Sequence, residues 1–117
     1  MKYVNKVILL GNVCSEPYYS DEGKSQRATF RLATNRYWRD AAGNDKEEAE
    51  FHDICVWGKQ AEQVKDFVTK GKLLYIEGAL RRREVGEGEN MKQRTEIVVS
   101  TFIMCDKKDS LPSGGIE

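Results

Sequence analysis

Only one segment of this chain, Gln60 to Lys70, has the period of a helix: Ala61, Val64, Phe67 and Val68 recur on one stripe. Gly58 precedes that segment, and Gly71, after Lys70, is the expected C-cap. On either side of it the apolar residues follow strand-like patterns. A chain with a single short helix has to build its core from sheet, and the helix can only cover one opening of it.

The strands can be taken in order. Val4 to Val13 (VNKVILLGNV) is β-branched and aliphatic and ends at a Gly-Asn pair, which suits a long first strand. Glu16-Pro17 and Ser20-Asp21-Glu22-Gly23-Lys24 then signal a reversal around a short extended piece through Tyr18 and Tyr19. From Arg27 to Thr34, Ala28, Phe30 and Leu32 alternate with Thr29, Arg31 and Ala33. Asn35 to Lys46 has loop composition with Gly43-Asn44-Asp45 at its tip. Ala49 to Trp57 places Phe51, Asp53, Cys55 and Trp57 on one face and His52, Ile54 and Val56 on the other. Leu73 to Arg83 and Arg94 to Met104 complete five strands, with Val85 to Gln93 as an exposed hairpin tip.

Hairpin-joined strands with one helix between the third and fourth predict an all-β fold, a five-stranded OB-type barrel whose helix plugs one end. We expect one domain over residues 1–105 and a flexible C-terminal tail over 106–117, where DKKDSLPSGGIE is polar and rich in Gly, Ser and Pro. No internal repeat is present.

Composition narrows the function. With 117 residues, 39% hydrophobic and 32% charged, the chain suits one compact core. Lys plus Arg and Asp plus Glu both number 19, so there is no global basic field and any electrostatic recognition is local. Cys14, Cys55 and Cys105 are odd in number and far apart, which speaks for reduced cytoplasmic thiols and against a disulfide framework or a zinc site. The apolar run Val7 to Leu10 is too short for a secretory signal, and nothing approaches a membrane span.

No GxSxG, HExxH or P-loop pattern occurs, so an enzyme is not expected, and neither is a cofactor or metal. The single histidine, His52, suits a satisfied core or interface residue better than a catalyst. The acids from Asp45 to Glu50 suit a solvated run better than a cation site.

Tyr37 and Trp38 lie between Arg36 and Arg39 in NRYWRD. An exposed ring flanked by arginine needs a partner, and a nucleobase is one: stacking contributes roughly 1–3 kcal/mol per base whatever the sequence, while guanidinium groups neutralise phosphates. The alternative for Trp38 is to fold back as a lid on the barrel. Phe51 and Trp57 share a face with Asp53, which argues against deep core; they either offer base platforms or pack beneath a loop. Arg81, Arg82 and Arg83 either contact phosphates or form a solvated strand end, with Arg81 and Arg83 on one face.

VNKVILLGNV, LATNRYWRD, EFHDICVWGKQAE, KGKLLYIEGALRRR and TEIVV resemble, in order and at matching spacing, the bacterial single-stranded DNA-binding protein family. The similarity runs from Val4 to Val99. It implies an OB-fold that assembles as a homotetramer, with a dimer as the lesser possibility, and coats single-stranded DNA in replication, recombination and repair, in the cytoplasm at the nucleoid. The implied DNA contacts are Arg31, Tyr37, Trp38, Arg39, Phe51, Trp57, Arg81 and Arg83, with the subunit interface at His52 and Tyr75. Phe51 stands where the family usually has Trp, and Trp57 where it has Phe.

Other departures weaken the expected binding. Val85 replaces a family tryptophan and Asp53 a family basic residue. The family's acidic, partner-recruiting tip has no counterpart in SGGIE, so either the sequence is a piece of a longer protein or docking of replication and repair partners is lacking. The competing reading is a primosome-type adaptor on the same fold, dimeric and weak on DNA.

Overall fold

The computed structural model describes residues 2–23 and 25–106. Its elements are β1 (Val7–Val13), β2 (Tyr18–Ser20), β3 (Arg27–Arg39), β4 (Asp45–Trp57), α1 (Lys59–Phe67), β5 (Leu73–Val85) and β6 (Lys92–Met104). The tail expected from residue 106 onward lies outside the described residues except for Asp106, whose carboxylate accepts a hydrogen bond from the Leu73 amide at 3.3 Å.

The sheet runs β1-β5-β6-β4-β3-β2, and a further pairing of β1 with β3 closes it into a barrel. Five long strands form the wall; the short β2 continues the edge of β3 beyond β1, pairing at Arg27 to Thr29 while β1 pairs at Leu32 and Ala33. All pairings are antiparallel except β4 with β6, which are parallel at Ile54 with Ile97 and Cys55 with Val98. Two glycines permit this closure. A side chain at Gly11 would collide with the Ala33 carbonyl of β3, and one at Gly78, beside the β5–β6 bulge, with the Val98 carbonyl of β6.

The predicted alternation holds where it faces the core. Ala28, Phe30 and Leu32 of β3, Ile54 and Val56 of β4, Leu74 and Ile76 of β5 and Ile97 and Val99 of β6 are buried together. Full burial of an aliphatic or aromatic side chain of this size contributes about 1.5–3 kcal/mol. Ala61, Val64 and Val68 press the helix onto this cluster, and Gln60 Nε2 ties it to the Ser100 carbonyl at 3.0 Å.

Several expected boundaries need correction. The helix ends at Phe67, not Lys70: Val68 is already extended and caps it, its amide bonding to the Val64 carbonyl. Phe67 was expected on the buried stripe but is 57% exposed. Gly71, at φ 102, belongs to the turn that leads into β5, where its amide reaches the Val13 carbonyl.

The largest correction concerns Asn35 to Lys46, expected as a loop. Only Asp40 to Asn44 turn; the rest extends β3 and β4 into a hairpin arm paired from Arg27↔Trp57 out to Arg39↔Asp45. Its tip is closed by the Asp40 carboxylate, which accepts from the Ala42 and Asn44 amides. Both faces of the arm meet solvent, so no apolar alternation marks it, and ladder bonds and cross-strand charge pairs hold it instead.

Candidate nucleic-acid interface

Register decides which candidate residues share a surface, because directly opposed residues on paired strands point to the same side. On the outer wall of the barrel, β3 contributes Arg27, Thr29 and Arg31; β4 contributes Trp57, Cys55, Asp53 and Phe51 opposite them; β6 contributes Val98, Glu96 and Arg94; and β5 contributes Ala79, Arg81 and Arg83. Arg31, Phe51, Trp57, Arg81 and Arg83 therefore meet on one face. Tyr37 and Arg39 extend that face along the arm. Trp38 does not: its parity places it on the opposite side of the arm, with Arg36.

The rings on both sides are accessible, Phe51 at 53% and Trp38 at 39%, so neither acts as a buried lid. Each carries a cation from its own strand or the neighbouring one. Arg31 lies 5.2 Å from the Phe51 ring centre, Arg27 lies 5.5 Å from Trp57, and Arg36 lies 4.2 Å from Trp38. One π-face of each ring thus carries a guanidinium group, and each ring keeps a substantial part of its surface in contact with solvent.

Between the rings lies a charged groove. Arg31 and Arg94 approach Asp53 at 3.5 and 3.8 Å, and Arg27, Arg81 and Arg83 approach Glu96 at 4.0, 3.4 and 3.5 Å. Five guanidinium groups here share two carboxylates, leaving an excess of positive charge. Cys55, beneath the Arg27–Glu96 pair, is fully buried, although its strand face was expected to be open. Burial pushes its thiol pKa up, with a hydrogen bond from Arg27 opposing the shift.

The arm is arranged differently. Arg36 pairs with Glu48 at 2.8 Å and Arg39 with Asp45 at 3.0 Å, so each of these arginines has a carboxylate of its own. Of the acids from Asp45 to Glu50, Asp45 and Glu47 lie on one face of β4 and Glu48 and Glu50 on the other.

A sequence model of the single-strand binding protein family matches residues 4–105. The chain belongs to that family. It is 36% identical over 110 residues to single-stranded DNA-binding protein 1 of Chlorobaculum tepidum, which covers 92% of this chain and 68% of the relative. To single-stranded DNA-binding protein 1 of Xylella fastidiosa it is 37% identical over 112 residues, covering 92% and 82%. Among solved structures, the Plasmodium falciparum SSB complex with ssDNA superimposes at a TM-score of 0.80 with 33% identity, over 91% of this chain and 98% of that one. The wild-type single-stranded DNA-binding protein of Thermus aquaticus, at TM-score 0.75 and 23% identity, covers 91% and 52% and shows likeness of fold.

In this member of the single-strand binding protein family, Trp38, Phe51 and Trp57 supply the accessible rings. Val85, at the outer end of β5 opposite Lys92, gives the groove no ring at that corner. His52 lies half-buried on the core side of β4, its Nε2 2.9 Å from Thr34 Oγ1. Arg27, Arg94 and Glu96 complete the groove but were not singled out from the sequence as site residues. The parity of Arg94 and Glu96 within the fifth strand was legible, but their position opposite Arg83 and Arg81 is set by register.

Proposed function

We propose that the chain binds single-stranded DNA without regard to sequence and coats it during replication, recombination and repair. The observation that carries this reading is the outer groove, where exposed Phe51 and Trp57 flank five arginines that share two carboxylates. Rings give a strand's bases sequence-tolerant platforms, and excess guanidinium groups meet its phosphates. Contacts are assigned to Arg31, Tyr37, Trp38, Phe51, Trp57, Arg81 and Arg83, to which Arg27 and Arg94 are added; Arg39, already paired with Asp45, contributes little. The names of the relatives and of the ssDNA complex support the same reading.

Titration with oligo(dT) at low salt is expected to quench tryptophan fluorescence. The affinity should fall with salt by about 0.7 log units per neutralised phosphate for each log unit of salt. Absence of quenching at low salt would overturn the proposal.

The working form is proposed to be a homotetramer. The outer faces of β1, β5 and β6 carry Ile8, Leu10, Tyr75 and Ile103, with Leu10, Tyr75 and Ile103 in one cross-strand row. Ile8, Leu10 and Ile103 are each more than half exposed, and from Val7 to Gly11 the strand β1 is paired along one edge alone. A second copy of this chain would cover both the apolar row and the open edge. His52 borders this edge, because its partner Thr34 lies against Gly11. Sedimentation showing a monomer or a dimer at micromolar concentration would overturn the tetramer. The three free thiols, Cys14, Cys55 and Cys105, suit a protein working in the reducing cytoplasm.

A further inference from the structure

The groove arginines are engaged before any ligand arrives, and their two carboxylate partners are unlike each other. Glu96 is held by Arg27, Arg81 and Arg83, and its side chain is only 7% exposed. Asp53 is held by Arg31 and Arg94, and its side chain is 40% exposed. A carboxylate in contact with water can leave its partners and stay hydrated, whereas a buried one that lost them would be left without compensation. Asp53 is therefore the exchangeable member.

The like-charged neighbours give both acids a role in the free protein. Arg83 and Arg94 stand directly opposite each other across β5 and β6, an arrangement that repels unless a negative group lies close. Glu96 reaches Arg83 from one side and Asp53 reaches Arg94 from the other. A cavity of about 310 Å³ opens between these groups, lined among others by Arg27, Arg31, Asp53, Arg83, Arg94 and Glu96. It has room for a phosphate group.

We propose that Asp53 is a displaceable internal counter-ion and Glu96 a permanent one. A backbone phosphate of a bound strand takes the place of the Asp53 carboxylate between Arg31 and Arg94. Glu96 meanwhile keeps Arg27, Arg81 and Arg83 fixed around that seat. Asp53 thus sets how tightly the groove binds, by competing with the ligand, and Glu96 is a positioning residue. The inference rests on the single-strand binding proposed above.

The test is oligo(dT) titration of the full chain and three variants, with thermal melts alongside. Asp53→Asn is expected to bind roughly two- to fivefold more tightly at low salt, the range that an exposed ion pair contributes, with the advantage shrinking as salt rises. Asp66→Asn, on the exposed face of α1, makes the same change in net charge away from the groove and should leave the affinity as it was. Glu96→Gln also raises the net charge by one, yet is expected to bind roughly tenfold more weakly because the arginines lose their shared anchor. Tighter binding by a folded Glu96→Gln, or an Asp53→Asn no tighter than Asp66→Asn, overturns the inference alone. Should Glu96→Gln not fold, the two aspartate variants decide it. No binding by the wild-type chain overturns the proposed function and this inference together.

Discussion

The groove and the arm contain the same residue types, arginine, carboxylate and aromatic ring, but they distribute charge in opposite ways. In the groove five arginines share Asp53 and Glu96, and the surface stays positive. On the arm Arg36 and Arg39 each have a private acid, and the acids of residues 40–50 outnumber the bases of residues 36–46. The difference separates two tasks. The groove is suited to holding phosphates beside its rings Phe51 and Trp57, and the arm to offering π-faces without spare cations, with Trp38 on one side and Tyr37 on the other. Counting arginines near aromatics treats the two regions as equivalent; pairing them with their acids does not.

The contrast can be broken most directly in the groove. Replacing Arg31 and Arg83 together by Gln should remove about 3 kcal/mol of binding, since a hydrogen bond to a charged group contributes about 1.5–3 kcal/mol, and should lower the salt slope by about 0.7 for each lost contact. A salt titration of the double variant measures both. Next in size, Trp38→Ala should cost about 1–3 kcal/mol for each base released while leaving the salt slope and the melting temperature in place. A change in slope would mean that the arm handles phosphates after all. Arg39→Gln should change affinity by less than about 0.5 kcal/mol, because Asp45 already neutralises it. A loss as large as that in the groove would erase the distinction between the regions.

The smallest effect lies away from both regions. Tyr75 donates a short hydrogen bond to Glu77, which also pairs with Lys6 at 3.2 Å. These contacts, the tyrosine bond first, hold the Glu77 carboxyl below the usual glutamate range and raise the Tyr75 hydroxyl above its own. Because the folded value is depressed, the stabilisation is present above the ordinary glutamate value and is lost as pH falls through the lower, folded value. Tyr75→Phe should return the Glu77 titration toward the ordinary range, which a carboxyl-carbon NMR titration would follow. An unmoved titration would leave Lys6 as the dominant partner.

Much of the fold was legible because a barrel wall with one wet face writes a period of two into its strands. Ala28, Phe30 and Leu32 could be assigned to the core from spacing, and the helix from its single change of period. The arm was not legible for the complementary reason. With water on both sides, Asn35 to Lys46 has no apolar rhythm, and its strand character comes from pairing with distant residues. Reading it as a loop also hid the parity that sets Trp38 apart from Phe51. In the site, residue types pointed to Arg31, Arg81 and Arg83, but Glu96 remained unremarked because its three partners come from β3 and β5. Cys55 was misplaced for a similar reason: side chains from adjoining strands cover an outer-wall position that alternation alone marks as open.

Every arginine except Arg82, which donates to Gln93, lies within 4.0 Å of a carboxylate. For a single molecule meeting a single strand this is a handicap, since each contact starts from an occupied cation. For a row of molecules on one strand it has another meaning. A coat must place identical proteins edge to edge, closer than salt can screen, and a chain with a formal net charge of zero presents almost no far field to its neighbour. An acid such as Asp53, which weakens the individual grip, thereby lowers the cost of crowding.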